Sequence, residues 1–209
     1  MIELLLATRN AHKTEEIQRI LGPQFKINDL ATHPEIPHIA ETGRTFQENA
    51  ILKALVVSRK LPGLVIADDS GLEVDGLNGA PGIHSARYAG PNATDKEKID
   101  KLLDELARVG AIKNARGAGF RCVLALARKG KVLGVFDGII KGQIADRPRG
   151  SHGFGYDPIF IPNGFQRTFG ELEPAKKNQL SHRARALEKL GAFLIVRPDQ
   201  QKSDRDIQS

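Results

Sequence analysis

A chain of 209 residues, 40% hydrophobic and 27% charged, has the length of one domain or at most two small lobes, and its composition excludes a disordered protein. Its 31 Lys and Arg against 25 Asp and Glu leave a formal charge of +6, which suits a small polyanion such as a nucleotide as well as it suits nucleic acid. The single cysteine, Cys122, excludes a disulfide scaffold and a thiolate zinc site, and 5% aromatic residues with no Trp argue against a base-stacking nucleic-acid platform.

In chain order, residues 2–7 form an apolar, strand-type run. Asn10 stands where it can cap a helix over 11–21, with Ile17, Ile20 and Leu21 on one face and Pro23 beyond its end. A second strand is predicted over 25–30, followed by an extended, Pro-containing stretch to residue 40. Thr45-Phe46-Gln47-Glu48 has the capping-box pattern and opens a helix to residue 60. A buried-type strand over 64–67 ends on Asp68-Asp69-Ser70. Residues 72–74 extend briefly before a loop punctuated by Gly76, Gly79, Pro81, Gly82, Gly90 and Pro91. Thr94-Asp95-Lys96-Glu97 is a second capping box, for a helix to residue 109. Residues 120–128 and 131–140, around Lys129-Gly130, read as an antiparallel hairpin. A glycine-rich passage at 150–155 leads to a strand at 158–161, and Ser181 caps a last helix to residue 194. Alternating strands and helices with a late hairpin predict a mixed α/β fold.

No internal repeat appears, so the expected organisation is one domain over residues 1–197 and a polar tail over 198–209. No apolar run approaches the roughly 18 residues of a membrane span, and residues 1–7 lack a basic n-region. The expectation is a cytoplasmic protein with no membrane partner.

Three turns carry chemistry. In Thr8-Arg9-Asn10-Ala11-His12-Lys13, a strand hands over to a helix, where unpaired N–H groups and the positive end of the helix dipole suit a phosphate; the plainer reading is an Asn cap beside a solvated Lys. In Asp68-Asp69-Ser70-Gly71, adjacent carboxylates at the end of an apolar strand need a neutralising cation, and alternation sends them to opposite faces. A hard cation such as Mg²⁺ suits that place, with Glu41 a further carboxylate; the plainer reading is a turn whose Asp residues cap local N–H groups. In Gly153-Phe154-Gly155-Tyr156-Asp157-Pro158, the glycines admit a planar ligand that the aromatics can stack on; the plainer reading is a turn with core aromatics. Lys177 and Ser181-His182-Arg183, read alone, are a helix start.

Taken in order, these pieces resemble the inosine triphosphate pyrophosphatase family. The motifs are Thr8-x-Asn10-x-x-Lys13; Glu41-Thr42-Gly43-x-Thr45-Phe46-x-Glu48-Asn49-Ala50-x-x-Lys53-Ala54; Ala67-Asp68-Asp69-Ser70-Gly71-Leu72; Gly79-Ala80-Pro81-Gly82-Ile83-x-Ser85-Ala86-Arg87-Tyr88; Gly153-Phe154-Gly155-Tyr156-Asp157-Pro158-Ile159-Phe160; and Lys177 with Ser181-His182-Arg183. The resemblance runs from Leu5 to about Leu190. The resemblance implies an elongated two-lobed α/β fold around a long mixed sheet, a nucleotide cleft between the lobes, and a homodimer. It implies Mg²⁺-dependent hydrolysis of non-standard purine nucleoside triphosphates (ITP, dITP, XTP, dXTP) to the monophosphate and pyrophosphate, cleansing the nucleotide pool.

By matching position, Thr8, Asn10 and Lys13 would hold the phosphates, with backbone contacts from Arg9, Ala11 and His12, and Lys53 would face the phosphates too. Glu41 and Asp69 would be the metal and water-activating carboxylates, Asp69 the proton acceptor, with Asp68 in support and Ser70 touching substrate. Phe154, Gly155, Tyr156, Asp157, Lys177, His182 and Arg183 would form the base pocket. Arg9 departs from the family's usual Gly, His12 from a frequent small residue, and Lys176 from a common acidic one. A pyrophosphatase for modified pyrimidine or methylated nucleotides would carry a Ser-Pro-Arg-Arg type of first loop, absent here. A nucleic-acid module would give Asp69 no role, and a non-catalytic nucleotide sensor is opposed by intact Glu41, Asp68 and Asp69.

Overall fold

The structure is a computed structural model that describes residues 1–110 and 116–196; the tail expected at 198–209 lies outside the described residues. Six strands, β1 (Ile2–Leu6), β2 (Phe25–Asp29), β3 (Leu64–Val74), β4 (Gly117–Arg128), β5 (Lys131–Ile144) and β6 (Phe160–Pro162), form one mixed sheet in the order β2-β1-β3-β4-β5-β6. The α-helices among the described residues are α1 (Ala11–Leu21), α2 (Phe46–Lys60), α3 (Asp95–Arg108), α4 (Pro174–Leu180) and α5 (His182–Val196). The chain divides into two compact units. Unit 1 takes Met1–Asp69, Cys122–Gly138 and the chain from Arg183; unit 2 takes Ser70–Arg121 and Ile139–His182.

In unit 1, β1 pairs in parallel with β2, Ile2 opposite Phe25, and with β3, Leu4 opposite Leu64. Parallel neighbours need a crossover, which α1 provides between β1 and β2. Leu4 and Leu6 alternate into a core shared with Ile17 and Leu21 of α1. Ile66, Leu124 and Leu126 complete the sheet's side of that core, and Leu187, Leu190 and Leu194 line the apolar stripe of α5 at helical spacing. Each such side chain contributes about 1.5–3 kcal/mol by leaving water.

Unit 2 has its own core: Leu72 and Val74 of β3, Ile99, Leu102 and Leu106 of α3, and Phe120, Ile140, Phe160 and Phe169. Phe120 and Phe160 pack with ring centroids 4.7 Å apart. The capping box of α3 forms in full, with the Thr94 hydroxyl and the Glu97 carboxylate each taking the other's backbone N–H. At α2 only half of it forms: Thr45 accepts from Glu48 N–H, while the Glu48 carboxylate reaches one residue further, to Arg44 N–H at 2.6 Å. Lys129 and Gly130 both have positive φ (50° and 72°), the backbone a two-residue hairpin favours.

The structure departs from the sequence expectations in three places. β3 does not end at residue 67 but continues to Val74, so the aspartates lie inside a strand. β4 begins at Gly117 and β5 runs to Ile144, each longer than its apolar run. The short helix α4 was not predicted; Pro174 occupies its start, where a missing N–H costs nothing. No helix among the described residues is long and apolar enough to cross a membrane.

Candidate active site

β1 delivers the Thr8–Lys13 loop, and the helix that follows fixes it. Asn10 N–H donates to the Thr8 hydroxyl at 3.2 Å, and the Asn10 side chain accepts from Lys13 N–H at 3.3 Å as the N-cap of α1. The cap reading holds for Asn10. Arg9 turns its guanidinium to the carbonyls of His33 and Ile36, tying the loop to the following segment. Ala11 and His12 are exposed. Lys13 is not a solvated charge: its ammonium pairs with the buried Asp68 carboxylate.

Alternation along β3 gives the two aspartates different neighbourhoods. Asp68 lies among Lys13, the Arg183 Nε at 3.3 Å and the Cys122 thiol, which donates to it at 3.1 Å. Arg183 in turn holds Glu16 through Nη1 at 2.6 Å. Burial pushes the Asp68 carboxyl up, but Lys13 and Arg183 outweigh it and hold the group well below the usual carboxylate range. The Cys122 thiol is pushed well up, by burial first and then by the Asp68 charge, which keeps it protonated.

Asp69 meets α2 instead. Its carboxylate accepts from Asn49 Nδ2 at 3.0 Å and lies 3.5 Å from Lys53 Nζ. The same ammonium donates to Glu41 Oε1 at 2.8 Å and to the Asp68 carbonyl at 2.7 Å. Burial raises the Asp69 pKa; Lys53 opposes and the Glu41 charge adds to the rise. Burial alone would lower the Lys53 pKa, but Asp69 and Glu41 together raise it, so the ammonium stays charged.

Glu41 and Asp69, which the family resemblance would make metal ligands, here share the Lys53 ammonium. The donor set is oxygen only, and no group of three or more His, Cys, Asp or Glu able to hold a metal ion occurs among the described residues. Glu41 and Asp69 therefore fit a hard cation that takes its remaining ligands from water and phosphate, and do not fit zinc.

In unit 2, Asp157 organises the glycine turn. Its carboxylate accepts from Phe154 N–H at 2.9 Å and from Lys177 Nζ at 2.6 Å, and it fills the space a Cβ on Gly153 would need. Gly153 and Gly155 both have positive φ. Gly155 N–H donates to Asp95 at 2.6 Å. The Lys177 ammonium lies 4.8 Å from the centre of the Phe154 ring. Tyr156 is buried and donates to the Ser85 carbonyl at 3.0 Å, so it is a core residue and not a stacking platform. His182 is buried and stacks on Phe120 at 4.9 Å. Ser70 is half-buried on β3.

The expected members thus fall into groups: Lys13 with Asp68; Lys53 with Glu41 and Asp69; and Phe154, Asp157 and Lys177. Arg183, expected at the base, is 1% exposed with its guanidinium on Glu16 and Asp68, because a buried charge needs partners and two carboxylates supply them. Sequence reasoning gave no role to Glu16, Asn49 or Asp95. Only Asn49 left a signal, lying four residues before Lys53 on one face of α2.

A model of the Ham1 family matches residues 4–193. The chain is 45% identical over 195 residues to a dITP/XTP pyrophosphatase of Bacillus licheniformis and 46% identical over 195 residues to one of Bacillus subtilis, covering 93% of this chain and 98% of each relative. A solved HAM1 protein from Coxiella burnetii superimposes with a TM-score of 0.84 at 44% identity, over 94% of this chain and all of that one. The Staphylococcus aureus Ham1 protein does so with 0.81 at 41% identity, over 93% and 98%. A match over nearly the full length, in sequence and in fold alike, makes this chain a member of the Ham1 family.

Proposed function

We propose that this chain hydrolyses non-standard purine nucleoside triphosphates, dITP and XTP among them, to the monophosphate and pyrophosphate, with Mg²⁺ as cofactor. The observation that carries the reading is the Glu41–Lys53–Asp69 cluster in a chain nearly half identical, end to end, to dITP/XTP pyrophosphatases. The same reading makes the protein a cytoplasmic homodimer, which light scattering tests directly.

The cleavage is attack by water on the phosphorus next to the nucleoside, with the bond to pyrophosphate breaking. It depends on positioning and charge neutralisation more than on a strong base. Glu41 and Asp69 would hold a hard cation, which would neutralise triphosphate charge and lower the pKa of water. Asp69 is the proton acceptor in this reading. Lys13 and Lys53 offset phosphate charge, and Asn10 and Thr8 contribute neutral donors at the start of α1. Asp68 acts in support, holding Lys13 in place.

For the base, unit 2 offers Lys177 and His182 as candidates. Inosine and xanthosine present an acceptor oxygen at the 6-position, and adenine an amino donor. A donor facing a donor leaves buried polar groups unpaired, at about 1–3 kcal/mol each. The expected result is at least tenfold to a hundredfold preference for ITP and XTP over ATP. The test is turnover across the purine triphosphates with pyrophosphate detection. Equal specificity constants for ITP and ATP, or orthophosphate as first product, would refute the reading.

A further inference from the structure

The first turns of α2 do more than present Lys53. Asn49 is 0% exposed, and both ends of its amide are used: Nδ2 donates to Asp69 Oδ2 at 3.0 Å, and Oδ1 accepts from Gly43 N–H at 2.8 Å. One planar group therefore joins a candidate catalytic carboxylate to the loop that carries the other, Glu41. Gly43 is built around this contact. A Cβ there would meet Asn49 Oδ1 at 2.7 Å, Glu48 Cβ at 2.7 Å and Asn49 N at 2.9 Å. Glu48 grips the next residue of the loop, taking Arg44 N–H at 2.6 Å. With Oδ2 of Asp69 held by Asn49, it is Oδ1 that faces Lys53.

We infer that Asn49 is a positioning residue: it fixes which oxygen of Asp69 faces the reaction and sets the distance between Asp69 and the Glu41 loop. This rests on the hydrolytic role of Asp69 proposed above. An isosteric carboxylate separates the two halves of the clamp. Asn49→Asp keeps an acceptor for Gly43 N–H and loses the donor to Asp69; Asn49→Ala loses both.

Steady-state kinetics with dITP and hydrogen exchange at the Gly43 amide test the inference. In Asn49→Asp, kcat falls about 10–100-fold with KM nearly unchanged, as is usual when the partner of a working ligand is removed, and Gly43 stays protected. In Asn49→Ala, kcat falls likewise and Gly43 loses protection. Gly43→Ala, which presses on the clamp from the other end, lowers kcat in the same way. Wild-type kcat in Asn49→Asp, a loss carried wholly by KM, or unchanged Gly43 exchange in Asn49→Ala would overturn the inference. So would loss of cooperative melting in the isosteric variant, which would make Asn49 merely structural. A wild-type protein inert towards every triphosphate would defeat the hydrolytic reading instead, while the exchange measurement still reports on the clamp.

Discussion

Asp68 and Asp69 are chain neighbours whose surroundings perturb them in opposite directions, and each perturbation has its own consequence. Asp69 is raised, chiefly by burial, and stands by Glu41 and Lys53. Asp69→Asn keeps the shape and loses the charge; turnover should fall by at least about a thousandfold, or 4 kcal/mol of transition-state stabilisation, with nucleotide binding largely retained. Retention of a tenth of the wild-type rate would remove Asp69 from the mechanism. Lys13 and Arg183 hold the Asp68 carboxyl well below the usual carboxylate range. A depressed carboxylate stabilises the fold above its unfolded pKa, and that stability is lost as pH falls below about 4. Thermal unfolding from pH 6 to pH 2.5 should show the loss, and a melting temperature flat across that window would contradict it. Arg183→Ala removes a buried cation from both Glu16 and Asp68, leaving Asp68 with Lys13, and should cost about 3–5 kcal/mol by denaturant unfolding. An effect within 1 kcal/mol would show that the pairs are dispensable.

Helices α1, α2, α3 and α5 and the hairpin were legible in the sequence because their signals are local: Asn10, Thr45 and Thr94 each cap the helix they precede, and Lys129-Gly130 turns between two apolar runs. The C-terminal end of β3 was not. Three polar residues read as a strand end, since carboxylates in a buried strand are costly. The partners that make Asp68 tolerable, Lys13 and Arg183, lie 55 and 115 residues away in the chain. Nothing local announces them. Arg183 shows the same effect of distance: its helix-start motif is local, and its carboxylate partners Glu16 and Asp68 are not. At the level of an element, the α2 cap offers a measurement. Thr45→Ala removes the acceptor for Glu48 N–H and should destabilise the protein by about 1 kcal/mol. The helix it starts carries Asn49 and Lys53, so turnover should fall with stability; equal turnover at equal folded fraction would uncouple cap from site.

For the whole molecule, a formal charge of +6 favours encounter with a polyanion. Raising ionic strength from 0.01 to 0.15 M shortens the screening length from about 30 to 8 Å. On this basis kcat/KM for a triphosphate should fall over that range while kcat holds, and an unchanged kcat/KM would show that local contacts alone govern capture. The oxygen-only donor set of Glu41 and Asp69 leads to a second test. Chelation after dialysis should abolish turnover and Mg²⁺ should restore it, whereas full activity in excess chelator would sink the assignment of a metal to those residues.

The odd-and-even placement of side chains along β3 also limits how the chain can be repaired. The position 69 side chain faces α2; that of position 68, one step away, pairs with Lys13 and Arg183 instead. An aspartate lost at 69 cannot be replaced by one gained at an adjacent position, because no small shift of backbone carries a side chain through a sheet. In a selection for revived turnover starting from Asp69→Asn, second-site revertants should therefore appear on α2 or among residues 41–43, and true reversion at 69 should dominate both.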